Sequence, residues 1–575
     1  MKFSFRIMSA LIGLVLISSC SKDYLNRFPE DSPNSSTFYK TADELVLAVN
    51  SVYNDLSFIQ QYGPYQMTLD ATTDAFWFRP NDDIQVIGLG QHTPNTGIIR
   101  RIWQTNYTGI GKCNALLENM EKAKSVTPAA LYARVDGEAR FLRAYYYGNL
   151  IMLYGDVPLI EKTLPSAESF VARTPQATVL DFVFKELDDA AAKLSVSYTG
   201  TDVGRATRAS ALAFKARIAL FYGKWDVAAA ASKAVIDLGY HSLFSNYRNL
   251  FTYAGENSRE SIFAFDYKQT VRTAAYSQGN QSRLAGGFST LIPTRALGDS
   301  YECTDGLTID KSPLYSTADP FRNRDPRMRQ TLLGDGDTWF GTGGITYNVT
   351  FHPDSTTCTR FTPTVAKIAN TEVTNAFSSF SGYVLKKYLD QADLTLNTQS
   401  EIAFMIIRYA EVLLTYAEAK IEANQIDATV LSAINQVRAR AYGVGVNETT
   451  RYPAITATDQ ATLRSVVRRE RKVELAGEGL RLFDIRRWKI ADKVMNGILF
   501  GKALQRGIYY SLPKPTLDAN SSPDYSAFSS LVNTVGNFKI MDNPRVFKPH
   551  HYLWPIPQSE LDVNKNPGFT QNTGY

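Results

Sequence analysis

The chain has 575 residues, of which 44% are hydrophobic and 20% are charged, a composition typical of a globular protein. Its formal net charge of +5 is small for this length and argues against a nucleic-acid-binding protein. Past residue 20, the cysteines are Cys113, Cys303 and Cys358, which are too far apart for a disulfide framework or a zinc site. The sequence leaves open whether two of them form a bridge.

The first residues predict an export signal. Lys2 and Arg6 precede an apolar run over residues 7–17, which is too short to span a bilayer because a spanning helix needs roughly 20 apolar residues. This layout is typical of a signal peptide, so residues 1–19 are excluded from the fold.

The end of this signal resembles a bacterial lipobox, with an aliphatic residue and two serines before Cys20. The pattern predicts lipidation of Cys20 by fatty acyl chains such as palmitate, and a polar tether over residues 20–37. The alternative is an ordinary secretory signal followed by a chance cysteine. No later segment has the length and apolarity of a membrane helix.

Helical periodicity dominates two parts of the chain. Thr41 is a predicted N-cap with Glu44 at the capping-box position. Apolar spacing predicts further helices over about residues 102–122, 131–153, 179–194, 206–238, 406–423 and 429–441. Several form pairs around a tight turn, with small residues where the helices cross, and so resemble tetratricopeptide units. We therefore expect a mainly α fold built on a tetratricopeptide-like scaffold of helix pairs.

Two other parts are rich in Gly, Ser, Thr, Asn and aromatic residues. They cover about residues 244–400 and 496–549, with short strand-like runs such as 261–267 and 382–388. Long irregular segments in a compact protein usually carry binding function. We expect one domain over residues 38–575, with its helical scaffold at about 38–243 and 400–495 and ligand-binding loops between and after these parts.

Catalytic motifs are absent from the sequence. It has no G-x-S-x-G elbow, Walker loop, G-x-G-x-x-G or H-E-x-x-H, so it predicts no catalytic residue, cofactor or metal centre. Asp335 and Asp337 flank a glycine and are better explained by a turn than by calcium binding. Glu470 and Glu474 lie near one helical face and predict structural ion pairs rather than acid/base catalysis.

Aromatic residues are the informative feature, with 32 Tyr, 31 Phe and 6 Trp. Sugars stack their C–H faces on aromatic rings, while their hydroxyl groups seek Asp, Asn and Arg. Loop segments with this composition predict ring contacts from exposed side chains, with core packing as the alternative. The candidate ligand-binding residues are Trp77, Phe78, Tyr301 and Trp339 for ring contacts, and Asp74, Arg79 and Asn81 for hydrogen bonds.

Several segments in order along the chain resemble the SusD/RagB family of Bacteroidetes outer-membrane lipoproteins. They include GEARFLRAYYY at 137–147, YGDVPL at 154–159, RYAEVLL at 408–414, ERKVELAGEGLRLFDIRRW at 470–488 and QNTGY at 571–575. The last segment departs from the family by Thr573, where proline is usual. The resemblance covers nearly the whole chain.

The resemblance implies a SusD-like fold and a cell-surface role. It implies a lipid-anchored outer-membrane protein that binds a nutrient, usually an oligosaccharide and in some relatives a peptide, and delivers it to a SusC-like TonB-dependent transporter without catalysis. Two alternatives stay open, a surface glycoside hydrolase and a scaffold that binds peptide or protein. The sequence does not identify the glycan.

Overall fold

The computed structural model describes residues 38–509, 511–528, 531 and 537–575. The predicted signal peptide (1–19), Cys20 and the tether (20–37) lie outside the described residues. Within these described ranges, no helix is both long enough and apolar enough to cross a membrane.

Long helices form the scaffold, as the sequence predicted. They are α1 (Ala42–Tyr53), α2 (Gly97–Asn119), α3 (Ala129–Tyr154), α4 (Gln176–Lys193), α5 (Arg208–Phe221), α6 (Trp225–Asp237), α7 (Tyr409–Glu422), α8 (Ala428–Ala441) and α9 (Gln460–Glu474). All of them lie within the two ranges expected for the scaffold, and the mainly α fold class is confirmed. The predicted capping box at the start of α1 is also confirmed, with the Thr41 side chain accepting from the Glu44 N–H. The division into one domain with two loop regions stays a prediction.

The scaffold is continuous in space although residues 238–408 interrupt it in sequence. Each helix from α2 to α6 packs against the next, α6 packs against α7, and α7 packs against both α8 and α9. Ala219, Leu220, Ala228 and Ala419 form the buried seam around the junction of α6 and α7. Small side chains there let the helices approach closely, which explains how a later helix pair joins the earlier ones.

Glycines mark two of the closest helix crossings. A Cβ on Gly109 of α2 would lie 2.3 Å from the ring of Tyr146 in α3. A Cβ on Gly148 of α3 would lie 2.7 Å from the ring of Phe214 in α5. Both glycines make room for an aromatic ring from the neighbouring helix, so the large rings fill the core without separating the helices.

Short strands lie mainly in the loop-rich parts. They are β1 (Phe76–Phe78), β2 (Ser261–Phe265), β3 (Leu291–Pro293), β4 (Thr338–Gly341), β5 (Ile345–Asn348), β6 (Thr357–Thr362), β7 (Ala366–Ala369), β8 (Phe404–Arg408), β9 (Gly497–Ala503) and β10 (Phe538–Arg545). Strands β4 to β7 form an antiparallel sheet, and β1–β3, β2–β8 and β9–β10 are antiparallel pairs. Two-residue strands occur at Ile59–Gln60, Gly63–Pro64, Leu332–Leu333, Val384–Leu385, Thr516–Leu517 and Pro523–Asp524.

Two predicted elements differ from the structure. Residues 406–408 were expected to begin a helix but belong to β8, because this apolar run pairs with β2 and is buried along its whole length. The expected strand at 382–388 is reduced to Val384–Leu385, which pairs with Leu332–Leu333.

Glu470 and Glu474 of α9 form structural ion pairs, as expected. Glu470 binds Arg327 and Arg438, and Glu474 binds Arg327, Arg408 and Arg440. All six side chains are buried. All four arginines come from segments that are distant from α9 in sequence.

The remaining structural expectations concern Asp335, Asp337 and the cysteines. Asp335 and Gly336 form a turn, and the Asp337 carboxylate binds Arg329 and Lys386. No group of His, Cys, Asp or Glu side chains suited to a metal ion occurs in the described part of the chain. Cys113, Cys303 and Cys358 are buried free thiols.

Candidate functional site

Strand β1 and the residues on either side of it carry five of the seven predicted ligand-binding residues and lie at the junction of the scaffold and the loops. Strand β1 pairs with β3, placing Trp77 opposite Ile292. The turn before β1 is held by Asp70, whose carboxylate accepts the backbone N–H groups of Gly477 (2.8 Å) and Arg481 (3.0 Å). The charged segment after α9 therefore fixes where β1 begins.

The predicted ring residues are buried, so the expectation that they are exposed is wrong. Exposed fractions are 4% for Trp77, 2% for Phe78, 0% for Tyr301 and 8% for Trp339. The indole N–H of Trp77 donates to Asp542 Oδ1 (2.9 Å) and that of Trp339 to Gln281 Oε1 (2.9 Å). The Tyr301 hydroxyl donates to the Val473 carbonyl (3.3 Å). Burial of these three rings leaves no polar ring atom without a partner, because each finds one in the interior.

Asp74 is held by two cations. It pairs with Arg481 (2.8 Å) and Lys472 (2.9 Å) and is buried. Burial alone would raise the pKa of Asp74, but these two cations outweigh it and hold the pKa well below its usual range. Asp74 also lines a cavity of about 670 Å³, together with Asn496 and Tyr525.

Arg79 and Asn81 reach the surface. Asn81 is exposed and Arg79 is half-buried. The Arg79 guanidinium donates to the carbonyls of Ser289 (3.3 Å), Ala376 (2.9 Å) and Ser378, and it lies 4.3 Å from the centre of the Phe380 ring. Arg79 therefore joins two loops that are far apart in sequence.

Those two loops and one hairpin present a group of partly exposed rings, which we call the aromatic patch: Tyr62, Phe288, Phe377 and Phe380. The ring centres of Tyr62 and Phe288 are 6.1 Å apart, and those of Phe288 and Phe377 are 5.3 Å apart. Phe377 is 47% exposed. Adjacent accessible rings of this kind can stack on the C–H faces of consecutive sugar units.

The aromatic patch is supported by close packing against the residues beneath it. Phe380 packs on Trp77 with ring centres 5.4 Å apart. Gly279 admits the hairpin that carries Tyr62, because a Cβ on Gly279 would lie 2.3 Å from the Tyr62 Cβ. Leu499, which lines the cavity beside Asp74, belongs to the same apolar cluster as Trp77 and Phe380. The buried Trp77 thus supports both the patch and the cavity wall.

Sequence reasoning missed the four rings of the patch. Phe288 follows two glycines, and Phe377 and Phe380 lie among Asn, Ala and Ser residues. Phenylalanine within a run of small polar residues was the available signal, whereas the reasoning favoured tryptophan. Arg79 and Asn81 are at least partly accessible, and ligand contact by these two residues stays a prediction.

Two family profiles, which match different parts of the chain, both describe SusD-like proteins. The sequence profile of the SusD family matches residues 259–575, which is more than half of the chain. The chain belongs to the SusD family. A second SusD-like profile, described as starch-binding and associating with the outer membrane, matches residues 23–220.

Individual relatives cover almost all of this SusD-family chain. SusD-like protein P25 of Formosa agariphila is 24% identical over 97% of both chains. The crystal structure of a SusD-like carbohydrate-binding protein from Bacteroides fragilis covers 93% of this chain and 100% of its own, with 28% identity and a TM-score of 0.77. Surface glycan-binding protein A from Bacteroides fluxus shares the fold over 93% of this chain and 100% of its own, with a TM-score of 0.65 at 18% identity.

Proposed function

We propose that this SusD-family chain is a lipid-anchored, cell-surface protein that captures an oligosaccharide on the aromatic patch and passes it to a SusC-like TonB-dependent transporter. The observation that carries the proposal is the set of adjacent, partly exposed rings, one of which lies under the Arg79 guanidinium. The similar protein from B. fragilis is named as carbohydrate-binding and the one from B. fluxus as glycan-binding. These names support an oligosaccharide ligand rather than a peptide.

Binding would need no chemical step. Sugar C–H faces would stack on Phe288 and Phe377, while Asn81 and the hydroxyl of Tyr62 would bond to sugar hydroxyl groups. Affinity would come from stacking on loops that are already positioned in the free protein, because ordering a flexible site on binding costs free energy.

The test compares two phenylalanines of equal exposure. Phe377 is 47% exposed within the aromatic patch, and Phe170 is 48% exposed elsewhere. We expect Phe377→Ala to weaken binding to a retained glycan about tenfold, the upper end for one aromatic contact, and Phe170→Ala to leave it unchanged. Equal affinity of the two variants would contradict binding at the patch.

The same glycan panel tests the two alternatives. A glycoside hydrolase would release smaller sugars from a retained polysaccharide, and removal of one carboxylate of a cleft pair would stop the release. A peptide-binding scaffold would retain peptides and no glycan. We expect retention of glycan without release of products.

The anchor and the transporter need their own tests. Growth of the producing cells with labelled palmitate should label the wild-type chain and leave a Cys20→Ala variant unlabelled. Purification of the tagged chain from outer membranes in mild detergent should recover a TonB-dependent barrel. Recovery of the chain alone under conditions that keep other outer-membrane complexes intact would contradict the proposed delivery.

A further inference from the structure

The aromatic patch is surrounded by cations that lack ion pairs. Arg79, Arg283, Lys502 and Lys539 form no salt bridge with any carboxylate in the part of the chain that the structure describes, although arginines elsewhere are extensively paired. Arg283 lies 5.5 Å from the centre of the Phe288 ring. Lys539 lies 4.1 Å from the centre of the Phe380 ring, over which Arg79 also lies.

Three of these cations have uncharged hydrogen-bond partners. Within the described residues Arg79 donates only to backbone carbonyls, and Arg283 donates to the Gly287 carbonyl (2.8 Å). Lys502 donates to the Glu372 backbone carbonyl (3.4 Å). A carbonyl oxygen satisfies an N–H group but does not neutralise its charge, so the positive charge of the cluster is left largely unbalanced.

The cations also repel one another. The pKa of Lys502 is lowered to about 8, chiefly by burial and further by Lys539 and Arg79. The carboxylates of Glu372 and Asp335 act in the opposite direction and raise it. The Glu372 carboxylate is engaged by the backbone N–H groups of Arg283 (3.2 Å) and Leu284 (2.9 Å) and by the Tyr347 hydroxyl.

These two carboxylates balance only part of the cluster. Glu372 is buried and Asp335 is half-buried, and the four cations around the patch outnumber them. Lys539 and Arg283 are half-buried and border the accessible rings. A bound anion would remove the repulsion among the cations, and a guanidinium binds a carboxylate or a sulfate group through paired hydrogen bonds.

We propose that the aromatic patch takes an anionic oligosaccharide, one that carries carboxylate or sulfate-ester groups. This inference rests on the proposed function and specifies its ligand. Phe288 and Phe377 contact the C–H faces of the sugars, while Arg283 and Lys539 contact the anionic groups. A neutral glycan would gain the stacking alone and would leave the cationic cluster unbalanced.

The experiment measures retention of the full lipidated chain, purified in detergent, on immobilised polysaccharides. The neutral arm contains laminarin, starch and galactan. The carboxylate arm contains alginate and polygalacturonate, and the sulfate arm contains carrageenan and fucoidan. Each retained anionic glycan is then compared with its carboxyl-reduced or desulfated form, and polyglutamate serves as a polyanion without sugar rings.

We expect at least one anionic glycan to be retained, its neutralised form to bind at least tenfold more weakly, and added salt to weaken the binding by screening. Polyglutamate should not be retained. Retention of neutral glycans alone, or equal affinity for a glycan and its neutralised form, would overturn this inference and leave the proposed function standing. Retention of no glycan would overturn both.

Two lysines provide a matched pair of variants. Lys539 lies over the Phe380 ring in the patch, and Lys489 lies 4.5 Å from the centre of the Tyr552 ring, with no ion pair for either in the described residues. Lys539→Gln should weaken anionic binding about fivefold, the upper end for an accessible ion pair, and Lys489→Gln should not change it. Equal effects of the two substitutions would show a general dependence on charge and would contradict a site at the patch.

Discussion

Replacing Glu474 by glutamine tests the charged centre of the scaffold. Glu474 is fully buried, and its carboxylate accepts from Arg408 (2.7 Å), Arg440 (2.5 Å) and Arg327 (3.1 Å). Burial alone would raise the pKa of Glu474, but the three guanidiniums outweigh it and hold the pKa well below its usual range. Glutamine keeps the shape of the side chain but brings an amide N–H₂ group against guanidinium donors.

The expected loss of stability depends on the ion pairs that each arginine keeps after the substitution. Removing one partner of a buried ion pair typically costs about 3–5 kcal/mol, because a charge is left buried without compensation. Arg408 and Arg440 still pair with Glu260, and Arg327 still pairs with Asp325. We therefore expect Glu474→Gln to lower the free energy of unfolding by about 3 kcal/mol, the lower end of that range.

Urea unfolding, followed by tryptophan fluorescence, measures this loss. The control is Glu448→Gln, because Glu448 is exposed and pairs with the exposed Arg451, so this substitution should have little effect on the free energy of unfolding. A loss below about 1 kcal/mol for Glu474→Gln would refute the structural account. So would a glycan-cleaving activity of the wild-type chain that disappears in Glu474→Gln without a loss of stability.

Three further predictions concern the pH dependence of stability, the backbone at Gly479 and the buried indole of Trp77. Burial, together with the nearby His551, lowers the pKa of His92 to about 3 in the folded chain. Below about pH 6.5 the unfolded chain therefore binds more protons than the folded chain, so the free energy of unfolding should fall as the pH drops from 6.5 to 5. His92→Gln should flatten this part of the curve of melting temperature against pH, and an unchanged slope would contradict it. Gly479→Ala should destabilise the chain more than Gly443→Ala in urea unfolding. Both glycines have a positive φ, but of the two only Gly479 would place a Cβ against a backbone oxygen, which is that of Gln66 at 2.1 Å. Trp77→Phe should cost about 1–2 kcal/mol in the same assay, because Asp542 loses a donor, and should leave glycan affinity within twofold. A loss of affinity without a loss of stability would instead indicate ligand contact by Trp77.

Local sequence patterns predicted the scaffold because the helix signals are local. The capping box at Thr41 and the apolar spacing along α1 need only neighbouring residues to be recognised. Residues 406–408 show the limit of this reasoning. Their apolar spacing fits a helix, but pairing with β2 decides their conformation, and β2 lies far away in sequence.

The same limit applies to the candidate site. Trp77 was expected to be exposed, yet its indole bonds to Asp542, 465 residues away, and its strand pairs with β3. Phe377 has no distinctive local pattern, and its exposure follows from how the loops meet at Arg79. Burial of a loop side chain depends on such long-range contacts, which composition does not reveal. Composition could therefore indicate loop segments, whose ligand contact stays a prediction, but it could not indicate which individual rings are exposed.

The hydrogen bonds of Arg79 bear on which side chains of this surface can be changed. The guanidinium donates to the main-chain oxygens of Ser289, Ala376 and Ser378, and every amino acid supplies such an oxygen. The neighbouring side chains, including Phe288 and Phe377, can therefore be exchanged without loosening the frame. A change of sugar preference would then require only new rings or charges on an unchanged backbone, which makes these two loops the natural place to redesign what the protein captures.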